Sequence, residues 1–403
     1  VNALSQAERD LPTTRFARRV AENYPTDPDL AAMLDRKMAL RRQGPGVTPS
    51  LDGLRASLTA LLAASLGGEF TVADESWLTG GASKVQMGFT LHRPGPGGAD
   101  TAEKLILRMD PREPINTTDK TREFEMVRSL VGTVPVPEPL WVDADATWFP
   151  EPAIVYRIVP GVARPSGAVT GQVVGLGTNF GPELRKRLAP QFIRDLAALH
   201  TFDTSTHLYR STTAPTAGTV QNALWRLNYE RRVWEEDRGE DCALIELAAS
   251  WLERHLPELD HVGPVHGDYR SGNFLFDETS GEITGWLDWE GAHLGDRHWD
   301  LAWSTQPLFG HRDESGSTFL VSGLLPVPEL LDRYEQASGL PVDHERLDWY
   351  RVLTCYSMMV KTIGSAYRVS RLGRSHQDVL LARLEGSRSV IELELLSLLE
   401  RLL

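Results

Sequence analysis

Cysteine is scarce: Cys242 and Cys355 are the only two in 403 residues. One bridge is arithmetically possible, but so sparse a set reads as free thiols in a reducing compartment and excludes a disulfide-built fold. Long apolar runs are scarce too. LTALLAASLGG is too short to span a bilayer, and the opening VNALSQAERDLPTTRFARR has no apolar signal core. The expectation is a cytoplasmic protein with no membrane partner, in which the sequon at Asn116–Thr118 is a chance match. Positive charge is also short. Lys and Arg number 42 against 55 Asp and Glu, a formal net charge of −13. That argues against nucleic acid as a partner, because phosphate backbones attract basic surfaces. It leaves room for a small anion in a locally positive pocket, and by itself suits a cationic ligand. Internal repeats and low-complexity tracts are missing, which excludes solenoids and disordered arrays.

What remains is an ordinary globular composition, 41% hydrophobic and 24% charged, in a chain long enough for two lobes. Residues 1–66 read as a helical extension, with Leu51, Leu54, Leu58, Leu61 and Leu62 at helical spacing behind a Thr48–Pro49 start. From residue 67 to 159 the period shortens. Val85, Met87, Phe89 and Leu91 alternate, and so do Leu105, Leu107 and Met109 in EKLILRMD, with Lys104, Ile106 and Arg108 on the opposite face. One helix, DKTREFEMVRSLVG, interrupts this sheet-rich stretch and stops at Gly132. Residues 160–403 are again largely helical. The layout is α+β: a small antiparallel-sheet lobe, a short connector, and a large helical lobe.

One segment of the helical lobe breaks the pattern. VHGDYRSGNFLFDETSGEITGWLDWEGAHLGDRHWDLAW packs acids, histidines and tryptophans together. FLFD and EITGWLDW form two strands about the turn at Thr279 and Ser280. Antiparallel pairing brings Asn273, just before the first strand, and Asp288, near the end of the second, to one end of the hairpin. Asp268 is one loop away. Two carboxylates and an amide carbonyl make a poor site for soft metals and a good one for a hard cation such as Mg²⁺. Trp286, Leu287 and Trp289 would anchor that polar end in the core.

HGDYRSGN, followed by LDWE and GDRHWDLAW, resembles the aminoglycoside phosphotransferase and choline kinase-like family. Within that family it is similar to the phosphotransferase domains associated with acyl-CoA dehydrogenases and to macrolide phosphotransferases. The resemblance runs from about Gly67 to the C-terminal end. It implies a protein-kinase-like bilobal fold that binds ATP, or GTP, between the lobes. By that match Asp268 is the catalytic base, Asn273 and Asp288 hold Mg²⁺, and Asp300 anchors the catalytic loop.

A kinase upper lobe also needs a phosphate-covering turn, a strand cation and a helix carboxylate. The small residues Gly80, Gly81, Ala82 and Ser83 suit that turn, although any tight hairpin needs glycine as well. Arg108 stands where protein kinases carry lysine, with Lys104 on the same strand face as a substitute. Glu123 shares an inward helix face with Val127 and Leu130, whereas Glu125 falls on a polar face. Glu123 is therefore the expected partner of Arg108. Backbone groups of Val155, Tyr156 and Arg157 are expected to face adenine. Gly267 replaces the arginine that protein kinases use to read a phosphorylated loop, which favours a small-molecule acceptor.

Other residues read more plainly. His266 is expected to be a core histidine, and His293, Asp296 and His298 fit no zinc spacing. Glu290 reads either as a metal contact through water or as a solvated side chain. GQVVGLGTNFG contains GLGTNFG, which lacks dinucleotide glycine spacing, and the segment reads as a mobile loop near the cleft, a substrate lid. Trp299, Trp303, Trp349, Tyr350 and Tyr356 read as core, with some lining the acceptor pocket. The expected activity is ATP- and Mg²⁺-dependent phosphorylation of a small-molecule hydroxyl. Hydroxyacyl-CoA compounds, macrolides and aminoglycosides all stay open as acceptors. The alternatives are a nucleotide-binding scaffold without transfer activity and a metal-dependent phosphohydrolase.

Overall fold

The computed structural model describes residues 6–44, 49–78, 84–95, 99–167, 176–373 and 386–403. The expected phosphate-covering turn, Gly80 to Ser83, and residues 171–175 of the expected lid lie outside them.

Four helices come first: α1 (Gln6–Asp10), α2 (Thr14–Asn23), α3 (Pro28–Arg42) and α4 (Leu51–Ser65). Side-chain caps set three of their starts. Thr13 accepts from the Phe16 N–H, Asp27 from Asp29 and Leu30 ahead of Pro28, and Ser50 from Gly53. The leucine stripe of α4 buries Leu54, Leu58, Leu61 and Leu62 against Met87, Phe89, Leu105 and Leu107 of the sheet. Helix α3 packs elsewhere. Its Leu30, Met33 and Leu34 join Met126, Val127 and Leu130 in the core shared with the helical lobe.

The sheet has five antiparallel strands, β1 (Thr71–Trp77), β2 (Val85–Pro94), β3 (Asp100–Met109), β4 (Pro139–Asp143) and β5 (Ala153–Arg157), in the order β1-β2-β3-β5-β4. Alternation puts the apolar positions of β2 and β3 under α4. The register pairs Gln86 with Arg108, and Ile106 with Tyr156, on the other face. Toward that face lies α5 (Lys120–Leu130), capped by Asp119, which accepts from the Arg122 N–H at 2.9 Å.

The helical lobe holds α6 (Gly181–His200), α7 (Gln221–Asp237), α8 (Ala243–Arg254), α9 (His298–Ser304), α10 (Val327–Ser338) and α11 (His344–Met359). A π-helical run, Val360–Ala366, leads from α11 into α12 (Tyr367–Leu372), and α13 (Arg388–Leu402) ends the chain. Three short ladders sit among these helices, one of them the two-residue pair of His311–Arg312 with Phe319–Leu320. β6 (Gly263–Val265) pairs with β9 (His293–Gly295), and β7 (Phe274–Phe276) pairs with β8 (Ile283–Trp286). The β7–β8 hairpin is anchored as expected. Trp286 stacks on Tyr269 at 3.9 Å, and its indole donates to Asp195 at 3.0 Å. The described end of the expected lid is also fixed, with Phe180 buried and stacked on Phe274 at 5.8 Å.

The sheet is joined to the helical lobe by Ile158–Val162. Thr284 donates to the Pro160 carbonyl at 2.5 Å, and Val162 and Phe276 exchange backbone bonds at 2.9 and 3.0 Å. Helix α3 makes a second connection. Asp237 at the end of α7 receives Arg41 at 2.6 Å, Lys37 at 3.0 Å, Arg368 at 3.3 Å and the Ser365 hydroxyl at 2.6 Å. Burial raises the cost of the Asp237 charge, but those three cations outweigh it and hold its pKa well below the carboxylate range. Asp237→Asn should therefore cost about 3–5 kcal/mol, because three buried cations lose their shared counter-charge. Urea unfolding of the two proteins at neutral pH measures the difference.

Candidate active site

The loop from His266 to Asn273 is fixed by the carboxylate of Asp300, which lies in the first turn of α9. Asp300 accepts the N–H of His266 at 2.7 Å and of Gly267 at 2.9 Å, with His200 Nε2 at 3.2 Å. Gly267 has φ +86°, and a Cβ there would stand 2.5 Å from the Gly291 carbonyl. No side chain fits, so the arginine of protein kinases is excluded by space as well as by sequence. Burial lowers the pKa of His266, which keeps the ring neutral. Its Nδ1 accepts the Asp268 N–H at 3.2 Å, and its Nε2 meets the Leu287 carbonyl at 2.9 Å. The histidine thereby ties the loop to the hairpin end.

The hairpin brings the three polar residues to one place. Phe274 pairs with Trp286, and the Leu287 N–H donates to the Asn273 carbonyl at 2.7 Å. Asn273 Nδ2 donates to Asp268 Oδ2 at 2.6 Å. Asp268 Oδ1 accepts from the Trp303 indole and from Arg270 Nε, the latter at 2.7 Å. Its side chain is 26% exposed. Asp288 sits in the left-handed region at φ 61°, an uncommon conformation for a non-glycine residue. Its carboxylate, 32% exposed, pairs with Arg108 across the cleft. With Nδ2 engaged, Asn273 keeps its carbonyl oxygen, and Asp288 adds a carboxylate; this donor set fits a hard cation. No three His, Cys, Asp or Glu side chains are grouped to hold a metal among the described residues. The ring nitrogens of His293 and His298 bond within the fold. His293 Nδ1 meets the Gly291 carbonyl at 2.9 Å, and His298 lies 2.7 Å from Asp296.

Four expectations change here. Arg108 does not pair with Glu123. Both oxygens of Glu123 are taken, by Lys120 at 2.8 Å and by the Tyr156 hydroxyl at 2.8 Å, so Arg108 turns to Asp288. Burial opposes the Arg108 charge, yet Asp288 and then Glu123 and Tyr156 raise its pKa. Lys104 is exposed and is no substitute. The backbone of Val155 to Arg157 is not open to a ligand, because β5 is laddered to β3 and β4 on both sides and the Arg157 N–H bonds Glu138 at 2.9 Å. The ladder extends one residue further, where the Ile158 N–H donates to the Lys104 carbonyl at 3.3 Å. Finally, Glu290 is not solvated. Lys84 reaches it at 3.1 Å and the Asn116 amide at 2.9 Å.

Lys84 is the residue missed at sequence level. Fully buried immediately before β2, it also bonds Asp110 at 2.7 Å, which in turn bonds Lys120 at 3.0 Å. The signal was present in the alternation: Lys84 and Gln86 share parity, and Gln86 pairs with Arg108. Arg270 was missed as well. It stacks on Phe309 at 4.8 Å while holding Asp268. Beside Asp268 opens a cleft of about 140 Å³, lined by Met33, Tyr229, Trp299, Trp303, Arg226 and Lys361 among others.

A bilobal fold with this loop and hairpin defines a kinase-like phosphotransferase architecture. Residues 98–350 match the family model described as the Phosphotransferase enzyme family (APH), and the protein belongs to that family. Among curated relatives, acyl-CoA dehydrogenase family member 11 of Gallus gallus is 27% identical over 268 residues, 64% of this chain and 33% of its own length. The Arabidopsis thaliana protein described as "Probable acyl-CoA dehydrogenase IBR3" is 26% identical, over 61% of this chain and 31% of its own. The match thus spans about a third of those relatives. A structure from Ralstonia eutropha, provisionally described as an aminoglycoside phosphotransferase, superposes with TM-score 0.59 at 20% identity, covering 87% of this chain and 98% of its own. A thermostable variant of APH(4)-Ia, in ternary complex with AMP-PNP and hygromycin B, gives 0.50 at 16% identity, covering 84% and 98%. No described helix is long and apolar enough to cross a membrane.

Burial pushes the Glu290 carboxyl up, but Lys84, the Asn116 amide and Arg108 outweigh it and hold the group at about 2. The folded value lies below the ordinary 4.5, so this stabilisation is complete above about pH 4.5 and is lost as pH falls toward 2. On acidification, the urea midpoint of the native protein should fall more steeply than that of Glu290→Gln. Parallel slopes would show that Glu290 carries none of the effect.

Proposed function

We propose that the protein is an ATP- and Mg²⁺-dependent kinase that transfers a phosphoryl group to a hydroxyl of a small molecule. The observation that carries this reading is the clustering of Asp268, Asn273 and Asp288 at one hairpin end, with Asn273 Nδ2 2.6 Å from Asp268 Oδ2. Phosphoryl transfer asks the protein for alignment and charge compensation rather than covalent chemistry. Asp268 is the base. Trp303, Arg270 and Asn273 fix the direction of its carboxylate toward the acceptor hydroxyl, whose proton it takes. Asn273 and Asp288 would hold Mg²⁺, which supplies charge neutralisation of the nucleotide phosphates. Arg108 leaves Asp288 for the phosphate oxygens, a bidentate task suited to its fork. The Gly80–Ser83 turn covers the phosphates, and the connector after β5 closes the side of the cleft where the base would lie. The family membership and the kinase-like fold support this reading, as does the nucleotide seen in the APH(4)-Ia complex.

The Arg108–Asp288 pair favours one second reading, a scaffold that binds nucleotide without consuming it. The two separate cleanly. On the kinase reading, Asp268→Ala keeps nucleotide affinity within about threefold and loses roughly 10²–10⁴-fold in turnover. Calorimetric nucleotide titration and coupled ADP release measure the two quantities. Full turnover in the variant removes Asp268 from the base role, and absence of ADP release from the native protein with every hydroxylated compound favours the scaffold.

A further inference from the structure

Trp299 and Trp303 lie four residues apart in α9, with ring centroids 6.1 Å apart and planes within 9°. Their N–H edges serve the loop: Trp299 donates to the Gly267 carbonyl at 3.0 Å, and Trp303 donates to Asp268. Their faces carry cations. The Arg226 guanidinium carbon stands 4.6 Å from the Trp299 ring centroid, and Lys361 Nζ stands 5.1 Å from that of Trp303. Both cations are half-buried and line the cleft beside Asp268. Neither charged group makes an ion pair or hydrogen bond with a described residue, and Arg226 Nε is shielded from solvent without a partner.

The carboxylates nearby are mostly committed. Asp119 caps α5, and Glu290 is held by Lys84 and Asn116. Asp27 caps α3 and lies 3.7 Å from Arg122. Glu230 is the partial exception. Its Oε1 accepts from Ser357 at 2.7 Å, while its buried Oε2 has no partner among the described residues and suits a hydroxyl or N–H donor. Lys361 belongs to the π-helical run Val360–Ala366. Such wide turns are rare and recur at functional sites. Here the run lays an ammonium over the ring whose edge holds Asp268.

We propose that Arg226 and Lys361 form a clamp for an anionic group on the phosphoryl acceptor. The acceptor class is a hydroxylated compound bearing a carboxylate or phosphate, with an apolar body against Trp299, Trp303 and Tyr229. This inference rests on the kinase reading for the place of the reacting hydroxyl. The net charge of −13 does not oppose it at contact. Exposed charges are screened over about 8 Å at physiological salt, so the two local cations dominate.

Mandelate and mandelamide share a hydroxyl and a ring and differ in the anionic group; glucosamine is the cationic alternative. Calorimetric titration of the full chain with each probe reads the preference. Mandelate should bind roughly 10- to 100-fold more tightly than mandelamide, the range of one or two charge-assisted contacts. Arg226→Gln and Lys361→Met should each remove most of that preference while leaving the melting temperature and nucleotide affinity unchanged. Competition by inorganic phosphate tells whether a phosphate source is also taken. Equal binding of the matched pair, tighter binding of glucosamine, no mandelate binding at millimolar concentration, or a preference that survives both substitutions overturns the clamp. A preserved preference without ADP release from any probe supports the clamp and counts against the kinase reading alone.

Discussion

Seven charged side chains alternate in sign where the two lobes meet. Glu123, Lys120, Asp110, Lys84 and Glu290 form one continuous series, and Arg108 with Asp288 crosses beside it. None of these charges could be buried alone, because desolvation of a single ion costs several kcal/mol. The series therefore constrains both lobes at once. β2, β3 and α5 must meet the segment after β8 in one register, or a buried ion is left without a counter-charge. On the proposed reading, ligand binding is an exchange of partners within this set. Arg108 would exchange Asp288 for a phosphate and Asp288 would be left to hold a divalent ion, so that every charge stays compensated.

The loop that carries Asp268 is held mainly through its backbone. Asp300 takes two of its N–H groups, His266 binds it to the hairpin end, and Trp299 takes the Gly267 carbonyl. This leaves the Asp268 side chain to be aimed separately, by Trp303, Arg270 and Asn273. Position and direction are thus set by different residues. On the proposed reading, a carboxylate aimed in advance by these three donors would need little rearrangement when a hydroxyl arrives.

Much of this was legible before the coordinates. The alternation in β2 and β3, the leucine stripe of α4 and the turn of the β7–β8 hairpin are local patterns, and local patterns survive into the fold. The convergence of Asn273 and Asp288 followed from pairing alone, and the buried histidine at 266 from its neighbours. What failed was the choice of partner among charges. Nothing in the spacing of Glu123 shows that Lys120, one turn earlier, and Tyr156, on β5, already satisfy it. Lys84 drew no notice, because its partners Asp110 and Glu290 lie 26 and 206 positions away. That the backbone of Val155 to Arg157 is taken up by the sheet was not legible, since β4 pairing is a non-local event that no window around Val155 reveals.

The first four helices also bear on where this chain can be cut. Without residues 1–66 the sheet would lose α4, and Met87, Phe89, Leu105 and Leu107 would form a bare oily face inviting self-association. The end of α7 would lose Lys37 and Arg41 from around Glu236 and Asp237, leaving paired acids short of neutralisation. A shortened polypeptide starting at the sheet would thus be sticky on one side and electrostatically strained on the other, so these leading helices are part of the smallest autonomous folding unit.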